Sequence, residues 1–301
     1  AKRWIDIHIN EFKRLGVTGD FENYYSTMSF TAEAQIVREL GKFLLDGSLY
    51  QGFKPVFWST VEKTALADAE VEYKDHTSNT IFVAFKVKES SKDFLKGANI
   101  IIWTTTPWTI PANRALAFNK SIEYALVETS GLEDFKEKKI VVATNLLDSI
   151  VKSCSIENFK ILKTFSGLDF TGTICEHPFK NLGYDFDVPM LEARFVTLEQ
   201  GTGVVHCAPS HGPDDFNLCL KHNIPSKYTI DNAGYYTDEI PHFTKTHVFK
   251  ADPIIIDKLK EFKKLLKHDK LQHSYPHSWR SKAPLIYRAT PQWFISMEKN
   301  S

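Results

Sequence analysis

The sequence has few cysteines, no long hydrophobic run and no excess of either charge. Its four cysteines are Cys154, Cys175, Cys207 and Cys219. They are widely spaced and form no C-x-x-C pair, which argues against a disulfide framework and a cysteine zinc cluster. The longest apolar runs, such as Ile100–Trp103, are far shorter than the roughly 20 residues that span a bilayer. With 37 basic and 37 acidic residues, the chain is no polybasic polyanion binder, although a local basic groove can still exist.

The N-terminus is amphipathic and charged, without the apolar stretch of a signal peptide. These features together predict a cytoplasmic protein in a reducing compartment. The length of 301 residues and the hydrophobic content of 43% are enough for one large domain or two ordinary ones with a sizeable core.

The hydrophobic pattern changes from helical to strand-like near Val56. Thr31–Asp46 places its apolar residues on one helical face, and Gly47 is positioned to end that helix. Ile81–Val87 alternates as in a half-buried strand, and Ile100–Trp103 is typical of a strand buried on both faces. Further strands are predicted at Ile122–Glu128, Lys138–Ala143, Phe159–Phe165 and Met190–Thr197. The fold class is therefore α/β in the mixed α+β sense, rich in strands and flanked by helices.

Three later helices are predicted from their caps and periodicity. One spans Asn145–Lys152, and a second begins near Pro213 with Gly212 as its cap. A third spans Asp252–Lys267 with Asp252 as its N-cap. The residues after His273 show an irregular hydrophobic pattern and are rich in aromatic side chains.

A threonine-rich segment, Trp103–Arg114, directly follows the buried-strand candidate. Thr104, Thr105 and Thr106 offer three hydroxyls and three N–H groups at the strand end, so a polar ligand can be bound by backbone and side chain together. Pro107 biases the preceding residue toward an extended conformation. The segment alone also fits a strand end with a proline turn, whose threonines satisfy their own backbone.

A second segment, Gly201–Phe216, combines glycines with histidines and aspartates. It matches neither G-x-G-x-x-G nor the G-K-[ST] of a P-loop, and no G-x-S-x-G elbow is present anywhere in the chain. A metal site of His206, His211 and Asp215 is one interpretation. The plainer ones are a histidine in a pocket wall and a carboxylate at a helix start.

Together these segments resemble the editing half of class I aminoacyl-tRNA synthetases, closest in wording to the isoleucyl branch of bacterial type. WTTTPWTIPANRA (103–115) and GTGVVHCAPSHGPDDF (201–216) resemble the two editing peptides of that family. Arg14–Met28, Lys54–Tyr73 and Ser274–Phe294 resemble further family segments. Valyl and leucyl relatives usually have an arginine where Thr106 stands, which favours the isoleucyl branch.

The resemblance also implies what this chain lacks. The ATP-handling motifs of the family, H-I-G-H-like and K-M-S-K-S-like, do not occur in the sequence. The expected organisation is a flanking helical piece of the synthetic domain at 1–56, an editing domain at 57–273 and a return segment at 274–301. Some relatives carry C-x-x-C pairs that form a zinc clasp at the junctions. The matching positions here are Ser59, Glu62, Ser278 and Ser281, so no metal site and no cofactor are expected.

The implied activity is hydrolysis of the ester of mischarged valyl-tRNA(Ile) to valine and free tRNA. Such editing is needed because a hydrophobic pocket separates isoleucine from valine by only about 1–3 kcal/mol, as is known for the isoleucyl enzymes themselves. The resemblance implies that Asp215 pairs with the α-ammonium, kept ionised by the helix start. It also implies that His206 forms the wall that rejects isoleucine.

The threonines Thr104, Thr105 and Thr106 would hold the ester, the terminal adenosine and the attacking water, and Asn113 would add a hydrogen bond. The expected partners are the tRNA(Ile) acceptor end and valine, with ATP and isoleucine only in a full-length parent. No membrane partner is expected, and the chain is expected to be a monomer. Two alternatives stay open: a metal-dependent hydrolase using His206, His211 and Asp215, and a tRNA-binding module without catalysis.

Overall fold

The computed structural model describes residues 1–130, 135 and 138–297, which form two compact units. The first unit comprises Ala1–Gly52 and the residues from Gln292 onward. It contains helices α1 (Lys2–Arg14) and α2 (Phe30–Leu45), neither of which has a buried residue. Helix α2 confirms the predicted helix, and Gly47 directly after it has a positive φ of 75°.

The second unit, Phe53–Pro291, is built on a large twisted sheet. The strands are β1 (Leu49–Ser59), β2 (Thr64–Ala65), β3 (Val71–Glu89), β4 (Asn99–Thr104), β5 (Ala115–Phe118), β6 (Glu123–Ser130), β7 (Lys139–Ala143), β8 (Asn158–Ser166), β9 (Ile174–Glu176), β10 (Asp187–Glu192), β11 (Val204–Cys207), β12 (Leu265–Ser278) and β13 (Ile286–Ile295). The large sheet has the order β11-β5-β10-β9-β3-β4-β7-β6-β8, with β12 pairing on β3, and a smaller sheet has the order β13-β1-β2.

The unit's helices are α3 (Leu147–Ser153), α4 (Pro213–Lys221) and α5 (Val248–Glu261). Gly212 is the N-cap of α4 and Pro213 its first residue, as predicted. The mixed fold of many strands and a few helices confirms the predicted class. No helix among the described residues is long and apolar enough to cross a membrane.

The core lies along β3 and β4. Ile100–Ile102 are fully buried, which confirms the prediction for β4. The prediction of a half-buried strand at Ile81–Val87 was wrong, since the intervening Phe82 and Ala84 are buried as well. These intervening residues are apolar themselves, and the strand is covered on both faces.

Helix α5 begins earlier than its sequence pattern predicts. Its N-cap is His247, whose Nδ1 accepts a hydrogen bond from the Phe249 N–H at 3.3 Å. Asp252 is therefore inside the helix rather than its cap, and the helix ends at Glu261 instead of Lys267. The capping histidine is an uncommon N-cap, whereas Asp252 followed by proline is a strong but misleading signal.

The stretch after His273 is not irregular. It continues β12, which pairs antiparallel with β3 from Leu265–Val83 to Ser278–Val71. The prediction missed this strand because its partner lies far away in sequence. The predicted strand Met190–Thr197 is shifted as well, since β10 covers Asp187–Glu192.

Candidate functional site

The threonine-rich segment begins at the end of β4. Thr104 is the last residue of that strand, and a 3₁₀ helix, Pro107–Ala112, follows two residues later. The Thr104 hydroxyl accepts the Thr106 N–H at 3.1 Å and lies 3.1 Å from the Thr106 hydroxyl. Part of this segment therefore satisfies its own backbone, as its plainer interpretation requires.

His206 joins this segment from strand β11. Its Nε2 lies 2.8 Å from the Thr109 hydroxyl, and its Nδ1 lies 2.7 Å from Nδ2 of Asn113. The Thr109 hydroxyl in turn donates to the Thr106 carbonyl at 2.9 Å. His206 and Asn113 are both buried. The structure thus brings three segments into one hydrogen-bonded chain: the threonines, the 3₁₀ helix and β11.

The donors along this hydrogen-bonded chain determine which nitrogen of the His206 ring carries the proton. Nδ2 of Asn113 also donates to the Ala115 carbonyl at 2.9 Å, so it is the amide nitrogen that faces the ring. Nδ1 of His206 is therefore an acceptor, and Nε2 carries the proton that bonds Thr109. Burial, with a smaller contribution from His211, lowers the pKa of His206 to about 3. The imidazole is neutral at any working pH and is a weak base.

His211 is not part of this hydrogen-bonded chain and has other partners. Its Nδ1 donates to the Tyr287 carbonyl at 2.9 Å, and its Nε2 accepts from the Thr229 hydroxyl at 2.9 Å. Its ring lies edge-on to the Trp108 ring at 4.9 Å. Both nitrogens of both histidines are thus engaged by hydrogen bonds. No group of three His, Cys, Asp or Glu side chains in the described part of the chain is arranged to hold a metal.

Asp215 sits at the third position of helix α4 and is half-buried. Its Oδ2 accepts the Ala208 N–H at 2.9 Å, which closes the loop between β11 and the helix. No hydrogen bond in the described residues links it to the threonines or to His206. The carboxyl is therefore connected to His206 through the backbone, at Ala208, which lies two residues beyond the histidine.

The expected ionisation of Asp215 needs a correction. Burial, against the opposing effect of the Ala208 N–H and with a smaller contribution from Asp214, raises the pKa of this carboxyl to about 7. The helix start alone does not keep the group ionised, because loss of solvation outweighs the dipole here.

A cavity of about 310 Å³ opens beside the threonines. Thr105, Thr106 and Trp108 form one wall. Asp252 and Tyr275 also line the cavity. Hydroxyls, a carboxylate and aromatic rings together suit a small polar ligand with an apolar part.

A family model described as tRNA synthetases class I (I, L, M and V) matches residues 1–300. The chain belongs to this family. The isoleucine–tRNA ligase of Pelagibacter ubique is 66% identical over 300 residues, covering 100% of this chain and 33% of the relative. Those of Gluconobacter oxydans and Francisella tularensis subsp. holarctica are 46% and 47% identical, each over 99% of this chain. The chain spans about a third of the length of these curated relatives.

A solved structure described as "The crystal structure of GlLeuRS-CP1" aligns with 63% of this synthetase chain and 99% of its own. Its TM-score is 0.49 and its sequence identity is 12%, which is too slight a likeness to support an inference.

Two side chains of this class I synthetase chain were missed in the sequence. Thr109, three residues after Thr106, is the link to His206, and the helical spacing of the two threonines was a signal for it. Asp252 reaches the segment from α5 by accepting the Trp108 N–H at 3.1 Å. No local signal marks that contact, because the two residues are 144 positions apart.

The positions that match zinc ligands in some relatives form a hydrogen-bonded cluster in this synthetase chain. Oε1 of Glu62 accepts the Ser278 hydroxyl at 2.8 Å and the Ser281 N–H at 2.9 Å, and the Glu62 N–H donates to the Ser59 hydroxyl at 3.1 Å. Burial raises the pKa of Glu62, but the three serines outweigh it and lower the pKa to about 2. Three hydroxyls and one carboxylate are not a zinc ligand set.

Proposed function

We propose that this chain is the editing part of an isoleucyl-tRNA synthetase, with its editing domain at 57–273. It hydrolyses the ester of valyl-tRNA(Ile) to valine and free tRNA. The observation that carries the proposal is the hydrogen-bonded chain from Thr106 through Thr109 to His206 and Asn113. A preorganised set of polar groups with a fixed neutral histidine suits the recognition of a small amino acid on an ester.

Thr104, Thr105 and Thr106 hold the ester, the terminal adenosine and the attacking water in this proposal. Water adds to the ester carbonyl carbon, the bond to the ribose oxygen breaks, and that oxygen takes up a proton. A histidine with a pKa of about 3 is not the general base for this step. A water positioned by the hydroxyls and assisted by a ribose hydroxyl of the tRNA end is therefore the nucleophile.

Asp215 is the proposed partner of the α-ammonium group. A pKa of about 7 leaves the carboxyl close to half ionised in neutral solution before substrate arrives. An ammonium group beside it favours the charged form, so binding and ionisation support each other. The pairing also replaces the solvation that the half-buried carboxyl lacks.

His206 is the proposed wall against isoleucine. Its ring is held at both nitrogens, so it has no freedom to turn away from a longer side chain. Asn113 acts through this ring, because its amide is buried and its Nδ2 bonds the ring and backbone carbonyls. Its role is to position the histidine.

The two alternative functions have less support. A metal hydrolase needs a free nitrogen on His206 and on His211, and both rings are engaged at both nitrogens. A tRNA-binding module without chemistry has no need of a buried hydrogen-bonded polar chain beside a cavity. Aminoacylation with ATP and isoleucine belongs to the longer parent.

The test is deacylation of Val-tRNA(Ile) and Ile-tRNA(Ile) by the wild-type chain, Asp215→Ala and His206→Ala. We expect rapid loss of valine alone from the wild type and a loss of rate of at least about 100-fold in Asp215→Ala, as for removal of one buried charged contact. His206→Ala should begin to hydrolyse Ile-tRNA(Ile). Activity that survives chelation and needs Asp215 excludes the metal hydrolase. Tight tRNA binding without hydrolysis by the wild type would instead favour the binding module.

A further inference from the structure

The carboxyl of Asp252 connects helix α5 to the threonine-rich segment. Its Oδ1 accepts the Trp108 N–H at 3.1 Å, and its Oδ2 accepts Nδ2 of Asn79 at 3.0 Å. Asn79 is held from its other side, since its Oδ1 lies 3.0 Å from Nε2 of His268. The carboxyl is thus fixed by an amide that is itself fixed.

Both backbone polar groups of Trp108 are hydrogen-bonded by side chains from elsewhere in the second unit. Asp252 accepts its N–H, and the hydroxyl of the fully buried Tyr236 donates a hydrogen bond to its carbonyl. Trp108 is the second residue of the 3₁₀ helix, where a backbone N–H has no partner within the helix. Asp252 therefore does for this helix what a side-chain cap does, from a distant part of the chain.

The residue after Trp108 is Thr109, whose hydroxyl bonds Nε2 of His206 at 2.8 Å. Any shift of the Trp108 peptide therefore moves the hydroxyl that holds the histidine ring. We infer that Asp252 is a positioning residue, which fixes the threonine-rich segment through Trp108 and thereby fixes the orientation of His206.

The expected effect on rate rests on the proposed deacylation. The effect of Asp252 on the position of Trp108 and His206 can be measured without that activity. The substitution Asp252→Ala removes the acceptor and leaves a buried N–H unpaired. Asp252→Asn keeps an acceptor oxygen for that N–H. Asn79 can reverse its amide toward the new nitrogen, because its other partner, His268, is exposed and can turn with it. Asp257→Asn, an exposed position on the same helix, is the matched control.

The first measurement is spectroscopic and needs no substrate. In ¹⁵N-labelled protein we expect faster hydrogen exchange at the Trp108 amide of Asp252→Ala, together with shifted ring-nitrogen signals of His206. Asp252→Asn and Asp257→Asn should keep the wild-type values. Tyr236→Phe, which frees the Trp108 carbonyl, should shift the His206 signals in the same direction.

The second measurement is deacylation of both tRNA substrates. Asp252→Ala should lose about 10- to 100-fold in kcat with little change in KM, and its preference for Val-tRNA(Ile) over Ile-tRNA(Ile) should fall, because misplacement by about an ångström has effects of this size. Asp252→Asn should restore both rate and preference.

Unchanged His206 signals in folded Asp252→Ala overturn the inference, whatever the rates are. So do shifted signals with wild-type kcat and wild-type preference. If Asp252→Ala does not fold, the same criteria apply to Tyr236→Phe. A wild-type chain that hydrolyses neither substrate would contradict the proposed function. The spectra would then still decide whether Asp252 positions the threonine-rich segment.

Discussion

At the scale of single residues, Asp215 gives the clearest link between charge and stability. Its pKa is raised from 3.8 to about 7 by burial, so the folded state binds its proton more tightly than the unfolded state does. Between about pH 4 and 7 the folded protein therefore carries more protons, and stability falls as pH rises through this window. Above pH 7 the charged carboxyl is a cost to folding.

We predict that Asp215→Asn raises the free energy of unfolding at pH 8 and leaves it nearly unchanged at pH 4, where the wild-type carboxyl is already protonated. The amide can still accept the Ala208 N–H. Denaturant titrations of both proteins at the two pH values measure this difference. An advantage of equal size at both pH values would show that burial does not set the ionisation of Asp215.

Neighbours in sequence were predictable at this scale, and distant partners were not. The threonines and Asn113 lie within one short motif, so their proximity follows from the chain itself. Asp252 and Tyr236 reach Trp108 across 144 and 128 residues, and nothing in their local sequence marks them. The raised pKa of Asp215 was missed for the same reason, since it depends on burial by residues outside its helix.

At the scale of elements, two glycines in the loop before β11 differ in a testable way. Both have positive φ, 84° at Gly201 and 78° at Gly203. A Cβ at Gly203 would lie 2.4 Å from the Cβ of Ala143, whereas one at Gly201 would lie no closer than 3.8 Å from Trp103. Gly203 is needed both because there is no space for a Cβ and because its φ is positive, whereas Gly201 is needed for its positive φ alone.

We expect Gly203→Ala to lower the free energy of unfolding by about 2–4 kcal/mol, from overpacking and an unfavourable backbone conformation together. Gly201→Ala should cost only about 1–2 kcal/mol, from the conformation alone. Denaturant unfolding of both variants gives the comparison. Equal losses would mean that the contact with Ala143 is relieved without cost.

The cluster around Glu62 joins the turn after β1 to the turn after β12. Because the pKa of Glu62 is lowered from 4.5 to about 2, its contribution to stability is present above pH 4.5 and is lost as pH falls toward 2. We predict that Glu62→Gln lowers the free energy of unfolding by about 1–2 kcal/mol at pH 7. The loss should shrink at pH 3. Glu157→Gln, at an exposed position, is the control, and a pH-independent loss would contradict this account.

Element by element, local signals predicted α2, α4 and β4, where periodicity and caps agree with the packing. They failed at the start of α5, where a proline after an aspartate imitates a helix start. They failed again at β12, because its polar residues form a strand only through pairing with β3. Pairing across the chain is invisible to a local pattern.

At the scale of the whole molecule, all four cysteines are free and buried. Burial raises the pKa of the Cys154 and Cys219 thiols to about 12, and it raises that of Cys175 and Cys207 as well. Since the thiolate is the reactive form, none should react with an aromatic disulfide reagent at pH 8 in the native protein. All four should react together in denaturant. Partial labelling under native conditions would show local opening of the core.

The pairing of β3 with β12 has a consequence for how the chain is made. Val71 lies opposite Ser278, about 200 residues later in the sequence, and such non-local pairing forms slowly. During synthesis, the first strand leaves the ribosome long before its partner exists. The edge of β3 opposite β4 must therefore wait, unpaired or held by a chaperone, until almost the whole second unit has emerged.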